Sequence, residues 1–246
     1  MKICNLFSIK NKNILVTGCS SGIGLSIAQG LLENNAKVIG LSRSKPIIIS
    51  QLEDFFVCDL SSDNDLKKTI SLIKKKFKKL DVLINVAGIS IDGSDDKENL
   101  KKFDDTFQIN IRAIYFLISE LKGLFVSGGS IINFSSIGGV LGFPNNPYYG
   151  ASKGGLISLT KAIANDLGKK NIRVNCIIPG YFKTKMTENS YINHEKKVER
   201  ENRTILGRWG SPAELLGATI FLASDASSYV TGSEVTVDGG WTNKGL

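Results

Sequence analysis

Ile14-Leu15-Val16-Thr17-Gly18-Cys19-Ser20-Ser21-Gly22-Ile23-Gly24 decides how the rest of the chain is read. Its first three residues form a short apolar, partly β-branched run, the pattern of a buried strand. A glycine-rich turn follows, and residues 25–33 then read as a helix. Strand, glycine turn and helix in that order give the turn a physical purpose. Glycines let the backbone tighten and let a phosphate group approach its amides, while the helix N-terminus presents its positive dipole end to a pyrophosphate. The spacing is Gly18, three residues, Gly22, one residue, Gly24, which differs from the commoner G-x-G-x-x-G. A glycine turn without a ligand is the competing reading.

Working outward, strand-like runs recur at 37–41, 55–58, 81–84, 130–134, 173–177 and 234–237. Helical spacing fills the intervals. Residues 63–79 place Leu66, Ile70, Ile73 and Phe77 on one side, and 101–125, 149–167 and 212–223 are further helix candidates. Strands alternating with helices imply a single α/β domain over 1–246, a doubly wound parallel sheet of about seven strands with helices on both faces. Ligands in such folds lie beyond the carboxyl ends of the strands, at the switch point. The glycine loop, Asp59, Asn85-Val86-Ala87-Gly88, Ser136 and Pro179-Gly180 all fall at those ends. The polar stretch 182–206 reads as a mobile substrate flap with some helix.

Tyr149-Gly150-Ala151-Ser152-Lys153 supplies the chemistry. Residues four apart share a helix face, so Tyr149 and Lys153 project together. A cation beside a phenol favours the phenolate, which predicts a lowered Tyr149 pKa and proton exchange with a substrate oxygen.

Composition excludes several alternatives. The chain is 42% hydrophobic and 22% charged, in the ordinary globular range. No apolar run reaches the ~18 residues of a membrane span, and the first residues lack a secretory pattern, so the expected location is the cytoplasm. Four cysteines without a CxxC pair and a single histidine, His194, predict reduced thiols and no metal site. The net charge of +8 permits nucleic-acid binding, but the lysines are spread over helical stretches without aromatic interleaving, so no nucleic-acid partner is expected.

Taken together, these motifs resemble the short-chain dehydrogenase/reductase family. The likeness runs from Thr17 to Gly240 and rests on Thr17-Gly18…Gly22-Ile23-Gly24, Asn85-Val86-Ala87-Gly88, Asn110, Ser136, Tyr149/Lys153, Pro179-Gly180 and Asp238-Gly239-Gly240. It implies a Rossmann-like fold and a catalytic tetrad of Asn110, Ser136, Tyr149 and Lys153. Ser136 is selected over the adjacent Ser135 because it stands thirteen residues before the tyrosine. Hydride would pass between a nicotinamide and a ketone or secondary alcohol. Tyr149 would give or take the proton, Ser136 would steady the oxygen, Lys153 would hold the nicotinamide ribose, and Asn110 would hold a water leading to Lys153. Val86 departs from the family, where a second asparagine is frequent.

The same resemblance places Ser20, Ser21 and the loop residues Gly18, Gly22, Ile23 and Gly24 on the cofactor. It sets Asp59 and Leu60 at the adenine, Asn85, Ala87 and Gly88 near the adenosine ribose, and Pro179, Gly180 and Thr184 toward the nicotinamide. It also implies a homotetramer or homodimer.

Between cofactors, the position that carries an acidic residue in NAD-preferring folds is Ser42, followed by Arg43, with no acid between Glu33 and Glu53. An acid there would repel a 2′-phosphate, whereas a guanidinium grips one. NADP(H) is therefore expected over NAD(H). The substrate is either a 3-oxoacyl thioester or a sugar or sugar-acid carbonyl, since Arg208-Trp209-Gly210-Ser211-Pro212 and Val237 to Trp241 resemble both kinds of enzyme. Arg200 and Arg203 in the flap are candidates to hold an anionic substrate, against the plainer reading of intrahelical pairs with Glu195 and Glu199. A non-catalytic dinucleotide sensor or scaffold is the alternative function.

Overall fold

The computed structural model describes residues 3–91 and 98–245. After a short turn of helix, α1 (Ile3–Leu6), the chain runs β1 (Asn13–Thr17), α2 (Gly22–Glu33), β2 (Lys37–Ser42), β3 (Asp54–Val57), α3 (Asp63–Lys76) and β4 (Leu80–Asn85). It continues through α4 (Asn99–Phe107), α5 (Ala113–Leu121), β5 (Phe125–Phe134), α6 (Pro147–Gly168) and β6 (Arg173–Pro179). The last elements are α7 (Glu188–Ile192), α8 (His194–Arg203), α9 (Leu216–Ala223) and β7 (Glu234–Val237).

All strand pairs are parallel, in the order β3-β2-β1-β4-β5-β6-β7. The order reverses between β1 and β4, so the ends of those strands flank a crevice. Ile14, Leu15 and Val16 are fully buried, as a strand covered on both faces requires. Their side chains alternate. Leu15, Ile39, Leu41 and Leu83 join one core with α3, α5 and α6, while Ile14, Val16, Val38 and Ile84 join the other with α2 and α9. The two cores are the two faces of the sheet.

The polar ends of α3 explain its placement. The Ser62 hydroxyl accepts from the Asp65 amide at 3.2 Å, acids occupy the first turn, and Lys74, Lys75 and Lys76 occupy the last. This helix stops at Lys76 rather than 79, because extended backbone at Phe77 turns the chain into β4.

The helix expected over 101–125 is broken. α4 leads into a widened π turn, Gln108–Arg112, before α5, and Phe125 already belongs to β5. The cause is Asn110, whose amide bonds the backbone of Ile89 across the crevice. The first half of β5 escaped the hydrophobic pattern because Ser127, Gly128 and Gly129 carry no apolar side chains. Among the described residues no helix is long and apolar enough to cross a membrane.

The tightest contact at the switch point is backbone on backbone. A methyl group at Gly24 would lie 2.2 Å from the Gly18 carbonyl oxygen. Gly24→Ala is therefore expected to destabilise the chain by about 1–3 kcal/mol through overpacking, seen as a lower urea midpoint at unchanged slope. A midpoint equal to the parent's would mean that the loop can relax away from α2.

Candidate active site

The crevice at the switch point is a cavity of about 330 Å³. One wall is the glycine loop. Gly18 and Gly22 have φ of +73° and +54°, the left-handed region that favours glycine. A side chain at Gly18 would meet the Cα of Ala87 at 2.9 Å, so the turns after β1 and β4 touch. The Thr17 hydroxyl fastens them by accepting from the Ala87 amide at 3.2 Å. Ser21 caps α2 with extended backbone, but its hydroxyl takes no helical amide, so the first N–H groups of α2 face the cavity.

This cradle fits a dinucleotide. It offers open backbone amides at a helix N-terminus, glycines where side chains would fill the space, and a pocket running from Arg43 to Tyr149. Gly18, Ser20, Ser21, Gly22, Ile23, Gly24, Ser42, Arg43, Asp59, Leu60, Ala87, Gly88, Tyr149, Lys153, Pro179 and Thr184 all line it.

Two expected residues do not. Asn85 is fully buried behind the wall, donating to Asn133 Oδ1 at 2.8 Å, with its own Oδ1 unpartnered. Gly180 instead gives space to the Asp238 backbone, which a methyl would approach to 2.7 Å. Ser42 lines the cavity, yet its hydroxyl donates inward to the Ser44 carbonyl at 2.8 Å. Asp59 accepts from the Ser61 amide at 2.9 Å and hydroxyl at 2.8 Å. Those bonds, with a smaller contribution from the Arg43 charge, hold its pKa below the usual carboxylate value. Ile89, Ile109, Phe134, Lys185 and Met186 also line the cavity. Sequence reasoning passed over them because each looks like an ordinary core or surface residue.

At the far end lies the Tyr149 group. Lys153 is 4% exposed and donates from Nζ to the Phe134 carbonyl at 2.8 Å. Ser135 donates to the Lys153 carbonyl at 2.8 Å, which uses that hydroxyl structurally. Ser136 accepts from the Gly138 amide at 3.1 Å, and its hydroxyl and the Tyr149 ring meet over Gly138, where a methyl group would lie 3.5 Å from Ser136 Oγ and 3.4 Å from the ring. Neither Ser136 nor Asn110 lines the cavity. Asn110 accepts from the Ile89 amide, donates to its carbonyl, both at 2.9 Å, and donates to the Ser152 hydroxyl at 3.0 Å. A methyl group on Gly88 would lie 3.1 Å from both Asn110 Oδ1 and Lys153 Nζ, so glycine there lets the two side chains converge.

The charges differ from the sequence expectation. The Tyr149 pKa is raised rather than lowered. Burial of the phenol outweighs the Ser136 hydrogen bond, and the Lys153 ammonium sits 5.9 Å from the ring centroid. Burial in turn pushes the Lys153 pKa down to about 8 and that of Cys176, its neighbour on β6, up to about 11. Among the described residues no group of histidine, cysteine and acidic side chains could hold a metal ion.

The flap region is largely helical and ordered by rings. Tyr181, Tyr191, Trp209 and Trp241 form a chain of edge and tilted contacts with centroids 4.8–5.3 Å apart. Lys183 and Lys197 lie over Tyr191, Arg200 over Tyr181, and Arg203 over Trp241. The intrahelical pairs are Arg200 with Glu199 and Lys197 with Glu201, not the wider network expected. The Thr184 side chain stands 3.6 Å from where a Gly22 methyl would be, so the start of this region roofs the glycine loop.

Comparison with known proteins agrees with this geometry. Residues 18–242 match the family model described as Enoyl-(Acyl carrier protein) reductase. The 2-dehydro-3-deoxy-D-gluconate 5-dehydrogenase of Escherichia coli (strain K12) is 35% identical over 97% of this chain and 98% of its own. The 3-oxoacyl-[acyl-carrier-protein] reductase of Chlamydia trachomatis is 35% identical over 94% of this chain and 97% of its own. A gluconate 5-dehydrogenase from Burkholderia cenocepacia J2315, solved in complex with NADP and tartrate, superposes with a TM-score of 0.90 at 27% identity, covering 99% of this chain and 100% of that one.

The buried ammonium has a measurable signature. Lys153 titrates near 8 in the folded chain and near 10.5 when unfolded. Between those values the unfolded state binds more protons, so this residue makes stability rise with pH. Below about 8 the full cost of burying the charge is present. Buried thiols with raised pKa values act in the opposite direction, so the comparison is with Lys153→Met. Wild type is expected to gain stability relative to that variant, on the order of 3 kcal/mol, as pH rises from about 8 to 10.5. Parallel pH profiles in denaturant melts would show that the ammonium is not desolvated.

Proposed function

The chain belongs to the short-chain dehydrogenase/reductase family, and on that premise we propose that it interconverts a secondary alcohol and a ketone on a polyhydroxy acid, using NADP(H). The observation that carries the reading is the convergence of Ser136 and Tyr149 over Gly138, with Lys153 on the next turn, at one end of a dinucleotide-shaped cavity. A bound nicotinamide supplies or accepts the hydride.

The chain's own residues do the rest. Tyr149 exchanges the proton with the substrate oxygen. Its raised pKa keeps the phenol protonated at neutral pH, the form needed to reduce a ketone. Oxidation requires the phenolate, so it gains with rising pH. Ser136 bonds the same oxygen and stabilises its developing charge. Lys153 faces the cavity from the same helix side as Tyr149, which suits a hold on the ribose hydroxyls. Asn110 acts as a positioning residue. It fixes Ile89 against Ser152 and so holds α6 in register with the loop after β4.

A small hydroxy acid is favoured over a carrier-bound thioester by the relatives and by the site's far wall. Sugar-acid dehydrogenases recur among the relatives at 34–35% identity, and the Burkholderia neighbour is described in complex with NADP and tartrate, a dicarboxylate. The flap stacks Arg200 on Tyr181, a ring near Tyr149, chemistry suited to a polar anion. The second reading, a 3-oxoacyl thioester, draws on the chlamydial reductase. Exposed Leu100 and Phe103 on α4 and Tyr115 on α5 suit a homo-oligomeric assembly, for which we propose a homotetramer. The cytoplasm is the proposed location.

NADP(H) preference rests on Arg43, which is exposed at the cavity rim, with no carboxylate on β2. Among the described residues Asp59 is the one acid lining the cavity, and its Oδ1 is turned to the amide and hydroxyl of Ser61.

Two measurements test the reading. A panel of aldonates, alditols and oxoacyl thioesters, followed by nicotinamide absorbance, should give turnover that Tyr149→Phe lowers by at least ~100-fold, with cofactor affinity retained. Near-normal turnover in that variant would remove Tyr149 from the proton step. Arg43→Ala should weaken NADP(H) binding by at least about tenfold, the scale of a charged hydrogen bond, and NAD(H) far less. Tighter binding and faster turnover of wild type with NAD(H) would overturn the cofactor assignment alone.

A further inference from the structure

The flap carries two candidate anion-binding arginines, and they sit differently. Arg203 is exposed, its guanidinium 5.8 Å from the Trp241 ring centroid. Arg200 is turned in. Its side chain is only 19% exposed, and its guanidinium lies 5.3 Å from the Tyr181 ring centroid. Tyr181 comes two residues after Pro179, which lines the cofactor cavity, and packs on the cluster containing Ile137, the residue after Ser136. It is also near enough to Tyr149 for its charge to oppose that phenol's ionisation. Arg200 is thus the cation stacked one ring away from the reacting end of the site.

The hydrogen bonds of Arg200 are lopsided. Nη1 donates to the Glu199 carboxylate at 2.7 Å and to the Lys196 carbonyl at 3.4 Å. Nε is buried without a partner, and Nη2 takes no hydrogen bond among the described residues. A buried donor without an acceptor has lost its water and gained nothing in exchange, so the position is unfavourable until something accepts from it. The vacant edge, Nε with Nη2, is the planar fork that matches both oxygens of a carboxylate. Glu199 is half exposed and holds the opposite end, which fixes the fork's direction.

We propose that Arg200 is the specificity-determining residue of this chain: its Nε–Nη2 edge takes the carboxylate of the substrate, while the stack on Tyr181 aims it. This assignment rests on the polyhydroxy-acid reading above. It makes the flap the part that distinguishes an acid from a neutral polyol of the same length. The Tyr181 ring covers one side of the guanidinium at 5.3 Å and keeps water from it, which strengthens the pair.

The test uses the full chain with NADP(H), an aldonate panel, and alditols of matching length. In Arg200→Ala the ratio of KM for aldonate to KM for alditol is expected to rise by at least about tenfold, the lower range for hydrogen bonds to a charged group. Arg200→Lys restores the charge without the fork and should recover only part of the loss. Arg203→Ala removes an equal charge from the same helix and should leave the ratio within about twofold, the scale of screened surface charges. An equal KM rise for both substrate types in Arg200→Ala would make the residue structural and overturn the proposal. So would an equal effect of Arg203→Ala, or wild-type turnover confined to thioesters. If wild type oxidises nothing on the panel, the hydride reading falls first. Calorimetric titration of gluconate into the NADP-loaded protein then decides for Arg200 on its own: binding lost in Arg200→Ala supports it, and no binding to wild type overturns it.

Discussion

Helix α6 is held to the end of β5 by two hydrogen bonds that run in opposite directions. Lys153 Nζ donates to the Phe134 carbonyl, and Ser135 Oγ donates back to the Lys153 carbonyl. Both are buried, so neither has water as a substitute partner, and losing either would leave polar atoms unsatisfied. The close approach depends on Gly139, where a methyl group would lie 2.6 Å from the Lys153 carbonyl carbon. Once this clamp is set, Tyr149 one turn earlier on the helix stands over Gly138 beside the Ser136 hydroxyl. Ser152, beside Lys153, meets the Asn110 amide, and that amide fixes the loop after β4. The reacting end of the cavity is therefore one hydrogen-bonded unit drawn from β4, β5, α6 and the π turn. The π turn is the consequence: a regular helix would not carry Asn110 to Ile89.

Much of this was legible in the chain. The short apolar runs of β1, β2 and β4 and the glycine spacing pointed to the sheet and its switch point, because strands buried on both faces must read as continuous apolar runs. β7 was legible to the residue, since Glu234 to Val237 sits between a turn and Asp238. The break at Asn110 was not legible, because a wide turn has the same composition as a helix and its cause, the Ile89 backbone, lies twenty-one residues away. The Tyr149 pKa was misjudged for a similar reason. Four-residue spacing reveals that a lysine stands near, but desolvation is a property of the whole surround, and here it prevails over a cation placed beyond the ring. Ser42 shows the same limit: its position was correct, and its donor turned out to be engaged with Ser44.

The flap was read from its charges as a solvated face, and half of that reading stands. Glu199 and Glu201 pair along α8 as surface residues do. What charge patterning hides is the supply of rings from outside the segment. Trp209 comes from the loop after α8, and Trp241 comes from the C-terminal turn. That turn is built by Asp238, whose carboxylate accepts from the Gly240 amide, the Thr242 amide and the Thr242 hydroxyl, each at 2.8 Å. Gly240, with φ of +83°, then swings Trp241 beneath Tyr181. The C-terminal motif thus completes the ring cluster through geometry alone.

These local bonds also decide the field inside the crevice. The chain's net charge of +8 would mean little if spread evenly over the surface. Around the cavity it is not even. Arg43, Lys153 and Lys185 line it against a single carboxylate, Asp59, and the low-dielectric walls focus what remains. The neighbouring acids are engaged where they stand: Asp59 through Oδ1 by Ser61, Asp238 by its own turn, and Glu214 by Arg208 and the Ser211 amide, which together hold its pKa down to about 2. Each of those carboxylates does a capping or turn-forming job with its lone pairs directed at backbone. The cations keep donors in reserve. A crevice built this way favours an anion beside the N-terminus of α2, and the asymmetry follows from which charges the backbone can satisfy.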